Sequence, residues 1–278
     1  MLPLAELREP RDDVEGLVVA NEPVPLELLP ALRVVANFGV GYDRIDVAAC
    51  AARGVVVTNT PGVLDAATAD LAFALILAAR RQVVEGDRVV RSGAWSGSWS
   101  EGRLAEQVSG STLGVVGLGR IGSAVARRAR GFDMRVLYTR RLRADSDLGE
   151  WRELDALLAE ADVVSLHVPL TPDTDGLLDA RRLALLRDGA TLVNTARGEI
   201  VDEGALVREL VSGRIGAGLD VFVHEPAVPP ELLDLPNVVL TPHIGSATRQ
   251  TREAMTRLAV DNLLAVERGD PPLTPIAG

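Results

Sequence analysis

The chain has 278 residues, room for one large or two modest domains, and 47% of them are apolar, so a substantial core can be buried. The formal net charge is −10 and every basic side chain is arginine, which argues against nucleic acid as the main partner, although one local arginine can still hold a small anion. The single cysteine, Cys50, rules out an internal disulfide and fits a reducing compartment.

Short β-branched runs alternate with longer helical patterns. Strands are predicted at Gly16–Ala20, Leu32–Asn37 and Val55–Asn59, then a helix at Ala66–Gln82 within a long helical stretch that reaches Arg91. A linker-like segment rich in Gly, Ser and Trp runs from Ser92 through Gly97 to Ser111. Beyond it come a strand at Thr112–Val116, a helix at Ile121–Arg130, a strand at Met134–Tyr138, a helix at Leu154–Glu160, a strand at Asp162–Leu166 and a helix at Arg181–Leu186. A strand at Thr191–Asn194, a helix at Gly204–Val211, strands at Gly216–Leu219 and Val238–Leu240, and a long helix at Ala247–Arg268 complete the chain. Most strands are apolar throughout, as strands covered on both faces of a parallel sheet are. The strand–helix alternation predicts a doubly wound α/β fold in two domains: 1–78 with 247–278 as the smaller, discontinuous one, and 79–246 as a dinucleotide-binding one. The longest apolar run, Leu71 to Ala79, is about half of the ~20 residues a bilayer span needs. The first residues lack the basic-then-apolar plan of a signal peptide, so a cytoplasmic protein without a membrane partner is expected.

The strongest local motif is Gly117-Leu118-Gly119-Arg120-Ile121-Gly122, which follows a predicted strand and opens a predicted helix. Gly117 permits the tight turn, Gly119 lets backbone approach a pyrophosphate, and Gly122 lets helix and strand pack closely. The helix N-terminus then offers N–H groups to the phosphates. The next strand ends at Tyr138-Thr139-Arg140-Arg141, about 20 residues past Gly119, where an NAD site places an acid on the ribose 2′-hydroxyl. A hydroxyl and two guanidinium groups suit a 2′-phosphate instead, so NADP is the expected cofactor, with NAD as the alternative; a solvated Arg pair at a loop is the structural alternative.

Three more residues sit at predicted strand ends: Arg197, Glu225 and His243. Ligands of open α/β sheets bind outside the carboxyl ends of the strands, so the three can face one crevice. Reduction of a 2-oxo acid needs a cation for the carboxylate, a proton for the carbonyl oxygen and a group that keeps the donor charged and oriented. Arg197 supplies a bidentate fork, His243 a proton and Glu225 the partner carboxylate. Only His167 and His224 compete; His167, at a strand end, is the main rival as the acid, and His224 is expected to be exposed.

Together these motifs resemble the D-isomer-specific 2-hydroxyacid dehydrogenases, most nearly the glyoxylate/hydroxypyruvate reductase branch. The resemblance covers nearly the whole chain, through Asn37-Phe38-Gly39-Val40-Gly41-Tyr42-Asp43, Thr58-Asn59-Thr60-Pro61-Gly62-Val63-Leu64, Thr68-Ala69-Asp70-Leu71-Ala72, Gly86-Asp87-Arg88, the glycine turn, Val168-Pro169-Leu170-Thr171-Pro172 and the Arg197, Glu225 and His243 segments. It implies a Rossmann-type cofactor domain and a smaller flavodoxin-like substrate domain. It implies that Arg197 binds the carboxylate, that His243 paired with Glu225 donates the proton, and that the amides around Val40 and Gly41 hold the carboxylate from the smaller domain. Leu118 to Ile121 would meet the pyrophosphate and Thr139 to Arg141 the 2′-phosphate. Val168, Pro169, Thr195, Ala196, Asp220 and Gly245 would complete the cofactor site, with Asp220 on the carboxamide or, alternatively, as a strand-end cap. The resemblance also implies a homodimer, with Trp95 and Trp99 in the contact segment or in a local core; no metal site is expected. Measured against family members the chain opens roughly 30–40 residues late, so the smaller domain is expected to lack its first strand and helix. The alternatives are an NAD-linked 3-phosphoglycerate dehydrogenase-like enzyme, which needs further cations for its substrate's phosphate, a formate dehydrogenase-like enzyme, which would lack the Glu partner, and a non-catalytic dinucleotide-sensing scaffold.

Overall fold

Short apolar runs, most of them rich in valine, form most of the strands, and helices lie between many of them. The computed structural model describes residues 7–97 and 104–277. In chain order the elements are β1 (Gly16–Val19), β2 (Val34–Asn37), α1 (Val47–Ala52), β3 (Val56–Thr58), α2 (Asp65–Arg80), α3 (Val83–Arg91), β4 (Thr112–Val116), α4 (Arg120–Ala129), β5 (Arg135–Thr139), β6 (Glu150–Trp151), α5 (Leu154–Glu160), β7 (Val163–Leu166), α6 (Ala180–Leu183), β8 (Thr191–Asn194), α7 (Glu203–Val211), β9 (Gly216–Leu219), β10 (Val238–Leu240) and α8 (Arg249–Glu267). Side chains of Asp46, Asp179, Asp202 and Thr248 cap α1, α6, α7 and α8 by accepting a backbone N–H of the first turn.

The chain forms two compact units, Met1–Leu64 with Ser246–Gly278, and Asp65–Gly245. The smaller unit holds a parallel sheet in the order β1-β2-β3, with Val35, Val57, Ile45 and Cys50 in its core. Buried Asn262 of α8 ties the C-terminal tail down: its Oδ1 accepts from the N–H groups of Leu273 and Thr274, and its Nδ2 donates to Thr274 Oγ1.

The larger unit is a seven-stranded parallel sheet in the order β10-β9-β8-β7-β4-β5-β6. Alternate side chains of β4 and its neighbours enter two separate cores. Leu113, Val115, Val163 and Val193 pack with Phe73, Leu75 and Ile76 of α2 and with Val125 of α4. Val116, Leu166 and Leu192 pack with Leu157 of α5, Leu183 of α6 and Leu210 of α7. Helices therefore cover both faces, as a doubly wound sheet requires.

Three features depart from the sequence reading. The boundary expected at 78/79 falls instead at Leu64/Asp65, because α2 buries its apolar face in a core of the larger unit. The helical stretch from Ala66 to Arg91 is two helices, broken at Gln82, which takes a left-handed conformation at φ 51. Trp95 is 64% exposed, which removes a core role for it; Trp99 lies outside the described residues.

Candidate active site

The chain reverses direction across the larger sheet at β4, whose neighbours are β7 on one side and β5 on the other. Gly117 leaves β4 at φ 98, and a Cβ there would lie 2.6 Å from the His167 carbonyl oxygen. A Cβ on Gly122 would lie 2.1 Å from the Gly117 carbonyl oxygen, so the first turn of α4 can pack on β4 only without a side chain. Gly119 is the N-cap of α4, with no side chain satisfying the first-turn N–H groups and nothing within 4 Å of a Cβ. That is an open cradle of helix-end donors, the arrangement that fits a pyrophosphate. The Arg120 guanidinium is committed to Asp65 at 2.8 Å, which leaves its backbone N–H for a ligand.

The Gly117 N–H donates to Thr139 O, so the end of β5 lies beside the glycine turn. Arg140 and Arg141 follow it, exposed, and among the described residues neither pairs with a carboxylate. The loop beyond is held by the Tyr138 hydroxyl, which donates to Ala144 O at 2.6 Å, and by Arg143 stacked 4.6 Å from the Trp151 ring. On the other side of β4, Val168 packs against Gly117 and Pro169 is exposed. The Thr195 hydroxyl, at the end of β8, is buried without a hydrogen-bond partner among the described residues, a vacancy in polar pairing that a bound ligand can satisfy.

The catalytic candidates lie on the adjoining strand ends. Asn194 closes β8 and shapes the turn after it: its Nδ2 donates to Arg197 O at 2.7 Å and its Oδ1 accepts from the Ala196 N–H. Arg197 is half-buried, with Nη1 on Ala196 O. The backbone pairing runs on past the strands, from Asp220 N–H to Asn194 O and from His243 N–H to Asp220 O, so the three turns share one frame. His243 is held at φ 52, and its Nδ1 lies 2.8 Å from Glu225 Oε2. The other carboxylate oxygen of Glu225 accepts from the Phe222 N–H, which fixes the carboxylate against the ring. The structure thus brings His243 and Glu225 into contact and sets Arg197 on the neighbouring strand end.

Asp220 is 1% exposed; Oδ1 accepts from Thr241 Oγ1 and the Ile244 N–H, and Oδ2 from the Gly245 N–H. Burial pushes its carboxyl above the ordinary aspartate range, against these hydrogen bonds and the nearby His243. Three donors occupy most of the roughly four acceptor positions of a carboxylate, so the hydrogen bonds favour the strand-end cap over the carboxamide role. His167, the rival acid, bonds through Nε2 to buried Ser165 Oγ at 2.8 Å, and burial lowers its pKa to about 4. It is neutral at ordinary pH and poorly placed to act as a cationic donor. His224 is exposed, as expected. The sequence reading missed Asn194 and Thr241; an asparagine or threonine closing a strand before a functional turn is their only trace.

A family model, "D-isomer specific 2-hydroxyacid dehydrogenase, NAD binding domain", matches residues 73–245. The chain is 50% identical over 289 residues to the glyoxylate reductase of Pyrococcus furiosus, covering 98% of this chain and 85% of that one. It is 47% identical over 283 residues to the glyoxylate reductase of Thermococcus litoralis, covering 97% and 86%. Among solved structures, a Thermus thermophilus protein matches with a TM-score of 0.92 and 47% identity, covering 100% of this chain and 90% of that one. The NADPH-dependent glyoxylate/hydroxypyruvate reductase of Sinorhizobium meliloti, solved with NADP and malonate, matches with a TM-score of 0.90 and 42% identity, covering 95% and 84%.

Proposed function

The chain belongs to the D-isomer-specific 2-hydroxyacid dehydrogenase family, and we propose that it reduces a small 2-oxo acid of the glyoxylate or hydroxypyruvate type to the D-2-hydroxy acid, with NADPH preferred to NADH. A bound nicotinamide dinucleotide supplies the hydride. The protein supplies orientation, charge and a proton. The observation that carries the reading is the His243–Glu225 pair at 2.8 Å, set in the backbone frame that also holds Arg197. Glu225 occupies Nδ1, so Nε2 is the atom of His243 that faces the reaction and gives its proton to the carbonyl oxygen as that oxygen becomes an alkoxide. The Arg197 fork binds the carboxylate of the substrate, and the amides of Val40 and Gly41 in the smaller unit are assigned as substrate-binding groups.

Leu118 to Gly122 are assigned to the pyrophosphate on the strength of the side-chain-free cradle at Gly119. The NADPH preference rests on Thr139, Arg140 and Arg141 at the end of β5 beside the glycine turn, three positions that carry a hydroxyl and two guanidinium groups and no carboxylate. Thr195, Ala196, Val168, Pro169 and Gly245 are assigned to the nicotinamide side, with Asp220 acting chiefly by pinning the His243 turn. A homodimer is proposed, with a second copy covering the exposed Val83, Val84, Val90 and Trp95; light scattering showing a monomer would remove that part. No helix among the described residues is long and apolar enough to cross a membrane, and the cytoplasm is the proposed location. The deciding experiment is a panel of glyoxylate, hydroxypyruvate, pyruvate and 3-phosphohydroxypyruvate with each reduced cofactor, followed by cofactor absorbance. Turnover of the small acids with higher kcat/KM for NADPH is expected; tight cofactor binding without turnover would favour the scaffold.

A further inference from the structure

In the smaller unit, the carbonyls of residues 39–41, in the loop after β2, are all hydrogen-bonded. Asn37 closes the central strand β2 and is fully buried; its Nδ2 donates to Gly39 O at 3.2 Å and to Gly41 O at 2.8 Å, while its Oδ1 accepts from the Asn21 N–H at 2.8 Å. Asn59, just past β3, donates from Nδ2 to Val40 O at 3.0 Å, and the Thr60 N–H adds a second bond to Gly39 O. Asn59 is itself pinned, since its N–H meets Thr274 O and its carbonyl accepts from Thr274 Oγ1. Three successive carbonyls are therefore bound by two asparagine amides and one backbone amide.

In a planar trans peptide the N–H points opposite to the carbonyl it is joined to, and the peptides of this loop are trans. Fixing the carbonyls of Gly39, Val40 and Gly41 on the asparagine side thus turns the N–H groups of Val40, Gly41 and Tyr42 to the other side. Among the described residues none of these three N–H groups meets an acceptor. Unpaired amides in a glycine-containing loop make an anion-binding surface. At its far end the loop is held by Asn21, which donates from Nδ2 to Asp43 Oδ2 and accepts the Arg44 N–H.

We propose that Asn37 and Asn59 are positioning residues for the substrate carboxylate: they hold the carbonyl oxygens of residues 39–41 away from it, so that the N–H groups of Val40, Gly41 and Tyr42 face it. This deepens the reading of the activity and rests on it. Without the Asn59 amide, the peptide between Val40 and Gly41 is free to turn and present an oxygen to an anion, which repels where the N–H attracts.

The test is steady-state kinetics of Asn59→Ala and Asn37→Ala with glyoxylate at saturating reduced cofactor, alongside cofactor titration. Asn59 is only half-buried, so its variant is the primary one; Asn37→Ala puts a buried site at risk. KM for glyoxylate should rise about 10-fold or more, the worth of one hydrogen bond to a charged group, with kcat much less affected and cofactor affinity kept. An unchanged KM in Asn59→Ala overturns the proposal, and so does an equal loss of kcat and cofactor affinity, which would signal a loosened fold. In isotope-labelled wild-type protein, the amide resonances of Val40, Gly41 and Tyr42 should shift on adding glyoxylate to the cofactor-loaded enzyme; their silence while turnover proceeds also overturns it. A wild-type protein that reduces no 2-oxo acid is a different result, and defeats the reading of the activity itself.

Discussion

A single methyl group, added at either of two glycines of the turn after β4, should separate packing from binding. Gly122→Ala places a Cβ 2.1 Å from the Gly117 carbonyl oxygen and 3.1 Å from Val115 Cγ1. The nearer of these is main chain, so α4 has to move off the strand. Overpacking of this sort costs about 1–3 kcal/mol, and in a domain of this size each kcal/mol lowers Tm by about 2–4 °C. Gly119→Ala is different: the residue sits at φ −85, which any L residue adopts, and its Cβ meets nothing within 4 Å. Stability should stay within about 1 kcal/mol. The methyl group enters the space assigned to the pyrophosphate, so the Kd for NADPH should rise by at least about 10-fold, or 1.4 kcal/mol. Thermal unfolding and cofactor fluorescence titration on both variants read the two effects separately. An unaltered Kd in Gly119→Ala would refute the phosphate assignment, and an unaltered Tm in Gly122→Ala would refute the close approach of helix and strand.

Arg197→Lys keeps the charge and loses the planar fork; KM for glyoxylate should rise markedly, and an unchanged KM counts against the clamp. Replacing Arg140 and Arg141 with serine should reduce the NADPH:NADH ratio of kcat/KM by about 10-fold or more, and a constant ratio would return the two arginines to the solvated surface. His167 titrates in the unfolded chain near 6.5 but in the fold near 4, so the unfolded state binds the extra proton between those values. The stability it gives is complete above 6.5 and is lost as pH falls toward 4, by up to about 3 kcal/mol. His167→Gln should flatten denaturant-derived stability across that window; an identical slope would contradict the burial assigned to the ring.

The parts of the fold that were legible are those whose cause is local. β4, β8, β9 and β10 lie at the predicted residues, since these short runs of Val, Leu, Ala and Gly are packed between two layers of helices. The glycine turn was legible because a close approach demands glycine at fixed offsets. β6 was not, since two residues at a sheet edge carry no periodicity, and α1 is a six-residue Ala-rich turn begun by the Asp46 cap. The break at Gln82 has no breaker residue to announce it. Arg197, Glu225 and His243 could be found as strand-end residues, but the 2.8 Å pairing depends on the geometry of the turns after β9 and β10. The commitments of Asp220, Asn194, Asn37 and Asn59 are contacts between segments far apart in sequence or turn-specific, and no spacing rule reveals them.

The most direct measurement is the reduction of glyoxylate by His243→Asn, followed by absorbance of the reduced cofactor, beside its cofactor Kd. Asparagine tolerates the left-handed backbone that His243 adopts, so the turn survives and only the proton donor is lost. A fall in kcat of about 10²–10⁴-fold with Kd retained is the predicted result. Turnover near that of the unsubstituted protein would contradict the assignment of His243 and Glu225 as the acid pair.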